Sequence, residues 1–283
     1  MATADRQVAK PRAQRPRPRL LEVVRVTDVT PQMRRITLGG EELAGFPHDR
    51  SGSHVKVLLP RDGQTQPALP TMGPQGPVWP PAAERPYART YTIRAFRTLA
   101  SGAGELDLDF VLHGDNGPAS RWAMAAQLGD LVGIAGPGER GPIPNHADWY
   151  FFTGDASAIP AISAHLENLP ATARGWALIE VEDAREEQQL EHPAGITLTW
   201  LHRNGLAPAQ STLLIDAVRH VAWPEGSVFF WIAGEASAVA ALRHYARVEH
   251  GLSRQQVDAV PYWKAGVSEE TYHDERHRAM DEE

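Results

Sequence analysis

The hydrophobic period of this chain changes halfway along it, and that change limits the fold more than any single residue does. In the first half, apolar residues recur every second position in short runs. Residues 21–26, 33–38, 54–59, 89–96, 105–113 and 130–135 read as strands. In residues 105–113, Leu106, Leu108, Phe110 and Leu112 take one face, and Asp107, Asp109, Val111 and His113 take the other. That alternation predicts a half-buried strand with a mostly polar outer side. Residues 60–86 are dense in proline and glycine and read as a long surface loop. Several short strands with this punctuation predict a closed barrel or a sandwich.

After residues 142–148 the period shifts. Residues 149–153, 176–181, 196–201 and 228–233 are short continuous apolar runs. Helical stretches lie among them at 158–169, 184–190, 212–221 and 236–248. Strands alternating with helices predict a wound parallel sheet, with Trp200, Trp223 and Trp231 in its core. The expected fold is thus a β-barrel followed by an α/β domain. The expected organisation is a disordered basic tail (1–19), a barrel (20–145), an α/β domain (146–265) and an acidic C-terminal tail or helix (266–283).

Composition narrows the chemistry. The 283 residues include no cysteine, which excludes disulfides, thiolate-bound zinc, all-cysteine iron–sulfur clusters and a thiol nucleophile. No apolar run reaches the roughly 18–20 residues of a membrane span. The basic N-terminus lacks the apolar core of a signal peptide, so the reading is a soluble, cytoplasmic protein. The net charge is −7, yet residues 1–19 hold six basic residues against one acid, so the body is acidic. An acidic body argues against nucleic acid as a partner. His273 and His277 have metal-ligand spacing, but they sit in an acidic terminal stretch without a third ligand. They read as a solvated tail, and no resident metal is expected.

Three motifs can carry chemistry. The first is Arg89-Thr90-Tyr91-Thr92, opening a strand. The guanidinium fork of arginine suits a diphosphate, tyrosine suits a flat ring, and a threonine hydroxyl suits ring edges or phosphate. The second runs from His113 and Gly114 to Gly117-Pro118-Ala119-Ser120, where a strand ends and proline opens a helix whose N-terminus attracts phosphate. The third is a pair of turns after apolar strands, Gly154-Asp155 and Gly234-Glu235. Ligands of parallel sheets bind beyond such strand ends. Each motif alone is equally an ordinary strand or turn.

Together they resemble the siderophore-interacting proteins, flavin-dependent ferric-siderophore reductases related to ferredoxin reductases. The resemblance spans residues 21–264. It rests on Arg89-Thr90-Tyr91-Thr92, residues 109–114, residues 117–123, Gly129-Asp130, Ala135-Gly136-Pro137, Gly154-Asp155, residues 231–235 and Tyr262-Trp263-Lys264, in that order. It implies FAD on the barrel, with Arg89, Thr90, Tyr91 and Thr92 at the flavin and its phosphates. It places His113 on the adenine side and Gly117, Ala119 and Ser120 around the pyrophosphate. Gly154, Asp155, Gly234 and Glu235 match the half that receives NADH or NADPH. Lys56 and Lys264, two of only three lysines in the chain, match positions that meet an anionic ferric chelate. Relatives often carry arginine directly after Gly-Pro. Here Gly136-Pro137 is followed by Gly138-Glu139-Arg140, which leaves Arg140 to supply that charge from a shifted position.

The implied activity is reduction of iron(III) in a siderophore with electrons from NAD(P)H through FAD. Ferrous iron is a weaker match for hard oxygen donors and is released. Glu182 and Asp183, after a strand of the α/β half, would repel a 2′-phosphate and favour NADH, whereas Arg203 after the next strand would do the opposite. The alternatives are a ferric-siderophore binding protein without turnover, and a flavoprotein that takes electrons from ferredoxin.

Overall fold

The computed structural model describes residues 17–47, 52–74, 76–114, 117–138, 143–144, 146–269 and 271–272. The basic stretch 1–16, Arg140, His273 and His277 lie outside the described residues.

The first half of the chain supplies β1 (Arg19–Thr30), β2 (Met33–Gly39), β3 (His54–Leu59), a hairpin of β4 (Thr71–Gly73) and β5 (Gly76–Val78), β6 (Tyr87–Thr98), β7 (Gly104–Val111), α1 (Pro118–Ala125) and β8 (Leu131–Ala135). Six of these strands close a barrel in the order β1-β2-β7-β6-β3-β8, so no edge is left open. Leu106, Leu108 and Phe110 turn inward onto Val23, Ile36, Leu38, Val55 and Val57, as the alternation predicts. The helix α1 packs on β2, β3, β6 and β7. The loop expected over residues 60–86 is largely irregular, but it folds back on itself through β4 and β5.

The other face of β7 departs from expectation. Asp107 and Asp109 are buried rather than solvated. Arg35 of β2 holds Asp109 through two hydrogen bonds, at 2.6 and 2.8 Å. Asp107 takes Arg97 of β6 at 2.6 Å and the Thr37 hydroxyl at 2.7 Å. Cross-strand partners, not water, satisfy the two carboxylates.

The second half supplies β9 (Trp149–Asp155), α2 (Ile159–Glu167), β10 (Arg174–Val181), β11 (Gly195–His202), α3 (Leu213–His220), β12 (Val228–Glu235), α4 (Ala236–His244) and β13 (Val257–Trp263). The sheet order is β11-β10-β9-β12-β13 and every pair is parallel. Residues of α2 belong to the core on one face, where Trp231 is fully buried, and residues of α3 and α4 to the core on the other. Trp200 and Trp223 are only partly buried at the margins of these cores. No helix among the described residues is long and apolar enough to cross a membrane.

The stretch 184–190 is not a helix. It makes one 3-10 turn, Ala184–Glu186, because Glu186 is drawn into the junction between the two halves. There its buried carboxylate accepts the Thr30 hydroxyl at 2.5 Å and the Gln32 backbone N–H at 3.1 Å. Met33 and Val111 of the barrel pack into the core of the α/β half. Arg94 of β6 grips Glu167 of α2 at 2.5 and 3.1 Å. These contacts join the barrel to the α/β half.

Candidate functional site

The barrel side of the site is built on the β3–β6 ribbon. Opposed residues of an antiparallel pair share a face. The register Lys56↔Thr90 and His54↔Thr92 therefore sets those four on one side, while Val55↔Tyr91 and Val57↔Arg89 sets Tyr91 and Arg89 on the other. Lys56 donates to the Thr90 hydroxyl at 2.7 Å. Tyr91 lies on Phe110 with ring centroids 4.1 Å apart, and Phe110 meets Trp122 of α1 at 5.6 Å. Arg89 is half-buried and donates to the Ala88 carbonyl at 2.9 Å.

The turn between β7 and α1 is stitched by Ser120. Its hydroxyl accepts the His113 N–H at 3.1 Å and donates to the Gly114 carbonyl at 2.7 Å. That hydroxyl serves the turn rather than a ligand. What the turn offers outward is backbone. The N-cap of α1 is Gly117, without a capping side chain, and Pro118 follows. The N–H groups of Ala119 and Ser120 therefore have no partner within the helix. A Cβ on Gly117 would stand 3.5 Å from the His113 ring, an ordinary contact, which makes the two residues neighbours across the turn. An uncapped N-terminus, an arginine on the adjoining strand and an aromatic ring fit the phosphates and flat ring of FAD.

The α/β side is a cluster at the carboxyl ends of β9, β12 and β13. Asp155 Oδ1 accepts the Ser157 N–H at 2.9 Å and its hydroxyl at 2.5 Å. Asp155 Oδ2 accepts the Glu235 N–H at 2.9 Å and the Trp263 indole N–H at 2.8 Å. Burial pushes the Asp155 carboxyl above its usual range against these four bonds. Glu235 Oε2 accepts the Ser237 N–H at 2.6 Å, the Ser237 hydroxyl, and the Ala238 N–H at 3.3 Å. Its Oε1 accepts the Ala265 N–H at 3.3 Å. Burial raises the Glu235 carboxyl, but the bonds from Ser237, Ala265 and Ala238 outweigh it and hold the group below its usual range.

Both glycines have packing reasons. A Cβ on Gly154 would sit 2.5 Å from the Ala158 Cβ and from the Ala233 carbonyl oxygen. Gly234 has φ 137°, and a Cβ there would sit 2.6 Å from Asp155 Oδ2. The structure thus brings Gly154, Asp155, Gly234, Glu235 and Lys264 together, with Lys264 exposed just past β13.

The chain beyond Lys264 returns to the barrel. Burial pushes the Tyr91 hydroxyl well above its usual range, Arg89 counters this, and the charge of Glu269 adds to it. Glu269 is therefore within Coulombic reach of the ring on β6. Sequence reasoning missed two neighbours. His54 lies beside Lys56 on β3, and Gly138 presses on it so closely that a Cβ would overlap the imidazole, 2.2 Å from Nε2. Trp263 holds Asp155; its place directly before Lys264 was the available signal.

Two family models match the chain, a siderophore-interacting FAD-binding domain over residues 22–141 and a siderophore-interacting protein over residues 147–266. Ferric vibriobactin reductase ViuB of Vibrio cholerae is 41% identical over 269 residues, covering 94% of this chain and 96% of that protein. The NADPH-dependent ferric-chelate reductase of Escherichia coli is 34% identical over 252 residues, covering 87% and 93%. The crystal structure of the siderophore-interacting protein SipS from Aeromonas hydrophila superposes with a TM-score of 0.80 at 41% identity, covering 94% and 98%.

Proposed function

The chain belongs to the siderophore-interacting protein family, and we propose that it reduces the iron(III) of a ferric siderophore with electrons from a nicotinamide dinucleotide, by way of FAD bound on the barrel. When bound, FAD supplies the exchange between a two-electron hydride donor and a one-electron metal acceptor. The observation that carries this reading is that Arg89 and Tyr91 share one face of the β3–β6 ribbon, onto which α1 with its uncapped N-terminus packs.

Arg89 and the Ala119 and Ser120 N–H groups neutralise the cofactor's phosphates, and Tyr91, backed by Phe110, lies against its flat ring. His113 lines the adenine side across Gly117. Lys56 and Lys264 attract the anionic chelate to an otherwise acidic protein, and Arg140 adds to them. The turns at Gly154 and Gly234 face the nicotinamide with backbone.

NADH is the preferred donor. Arg203, the cation that would welcome a 2′-phosphate, is nearly buried between Glu180 at 3.3 Å and Glu182 at 3.0 Å. Arg185 is likewise paired with Asp183 at 2.7 Å. Acids already neutralise both cations, and they repel an added phosphate. This differs from the donor in the name of the Escherichia coli relative.

An anaerobic titration of the FAD-loaded protein tests the reading. NADH bleaches the flavin absorbance at lower concentration than NADPH does. A protein that takes up no FAD, or one bleached by neither nucleotide, contradicts it. Bleaching by reduced ferredoxin alone makes ferredoxin the donor.

A further inference from the structure

The two carboxylates at the ends of β9 and β12 have a use that their place in a nucleotide-binding turn does not explain. Phosphate binding at such turns needs free backbone N–H groups. Here Asp155 takes the N–H of Ser157, and Glu235 takes those of Ser237 and Ala238, so each turn caps itself with its own acid. A further bond of each acid reaches the chain that leaves the sheet. Asp155 Oδ2 takes the Trp263 indole N–H at 2.8 Å, and Glu235 Oε1 takes the Ala265 N–H at 3.3 Å. Those residues flank Lys264 on either side.

The placement matters because β13 is an edge strand and ends at Trp263. A strand end at a sheet edge frays, and a lysine has about 2 kcal/mol of rotamer entropy to lose on ordering. β9 and β12 are interior strands, and both acids are largely buried. The Asp155–Glu235 bond at 2.9 Å joins the two anchors into one unit. The backbone that carries Lys264 is therefore pinned on both sides to two interior strands of the α/β half.

We propose that Asp155, Glu235 and Trp263 are positioning residues for Lys264, setting where its ammonium meets the anionic ferric chelate, and are not contacts to the nucleotide. This rests on the reading of Lys264 as a chelate contact. Asp155→Asn disturbs the junction of two turns, so the decisive variant is Trp263→Phe, which keeps a ring and removes the N–H.

The probe is the anionic ferric tris-catecholate complex, with its KM and its Kd by ultrafiltration measured for Trp263→Phe, Lys264→Ala and the double variant. A net hydrogen bond to a charged group corresponds to about a tenfold to hundredfold change. Trp263→Phe is expected to raise KM and Kd by that factor. Its kcat at saturating chelate, its FAD content and its rate of flavin reduction by NADH are expected to stay unchanged. In the Lys264→Ala background the same substitution is expected to change nothing further. The proposal is overturned if Lys264→Ala weakens the chelate and Trp263→Phe does not, or if the effect of Trp263→Phe persists in full without Lys264. Unchanged binding in Lys264→Ala overturns both the proposal and the chelate reading beneath it.

Discussion

Gly234→Ala is the sharpest structural test of the joint between β9 and β12. Gly234 has φ 137°, and an added Cβ would lie 2.6 Å from Asp155 Oδ2, 2.8 Å from its Cγ and 3.2 Å from its backbone nitrogen. Backbone strain at such a φ costs about 1–3 kcal/mol. The carboxylate cannot retreat freely, because it is held by Ser157, Glu235 and Trp263. Loss of one hydrogen bond to this charged group costs about 1.5–3 kcal/mol more. The expected loss is therefore about 2.5–6 kcal/mol, which lowers the urea midpoint by about 1–2 M at an m-value near 3 kcal/mol/M. Gly102→Ala is the control. Its φ is 84°, and an added Cβ would meet nothing within 4 Å, so it bears the strain alone. The assay is urea unfolding followed by tryptophan fluorescence. Equal midpoints for the two variants, or a loss below about 1 kcal/mol in Gly234→Ala, would refute the reasoning.

Other substitutions probe the rest of the account. Arg35→Ala strands the fully buried Asp109 carboxylate and is expected to cost about 3 kcal/mol in urea unfolding, most of it recovered when Asp109 becomes leucine as well. Arg89→Ala is expected to lower the FAD content of the purified protein; a full flavin load would remove its phosphate role. Lys56→Ala is expected to keep FAD and raise the KM for ferric chelate, with unchanged kinetics counting against that contact. His250 stacks on Trp223 at 3.7 Å, and burial lowers its pKa below 6.5, with Glu249 opposing and Arg219 assisting. The unfolded chain therefore takes up the proton first, so this contribution to stability is complete above pH 6.5 and lost as pH falls through the lower folded value. His250→Phe is expected to flatten thermal stability against pH below 6.5; an unchanged slope would assign the acid sensitivity elsewhere.

The barrel was legible because alternation is a property of one strand: Leu106, Leu108 and Phe110 go inside whatever lies next to them. The fate of Asp107 and Asp109 was not, since Arg35 and Arg97 come from neighbouring strands. Residues 184–190 have helical character, yet Glu186 is worth more to the fold as a buried acceptor for the barrel, and tertiary contact overrides local propensity. Residues 257–263 escaped recognition as a strand because Pro261 interrupts them. At a sheet edge that proline is tolerated, and the register slips just there, from Gly234↔Pro261 to Glu235↔Trp263. At the site, Arg89, Tyr91 and Gly117 were legible as residue types that suit a diphosphate and a flat ring. Asp155 and Glu235 announced a turn after a strand, but their hydrogen bonds run to residues tens of positions away, which periodicity does not encode.

The central claim is that this chain passes electrons to siderophore-bound iron, and single-turnover reoxidation tests it most directly. The FAD-loaded protein is reduced anaerobically with one equivalent of NADH and mixed with ferric tris-catecholate and a ferrous-specific chromogenic chelator. The account predicts return of the flavin absorbance together with two ferrous ions per flavin. A reduced flavin that persists in the presence of bound ferric chelate would contradict it and leave a protein that holds the chelate without turning it over.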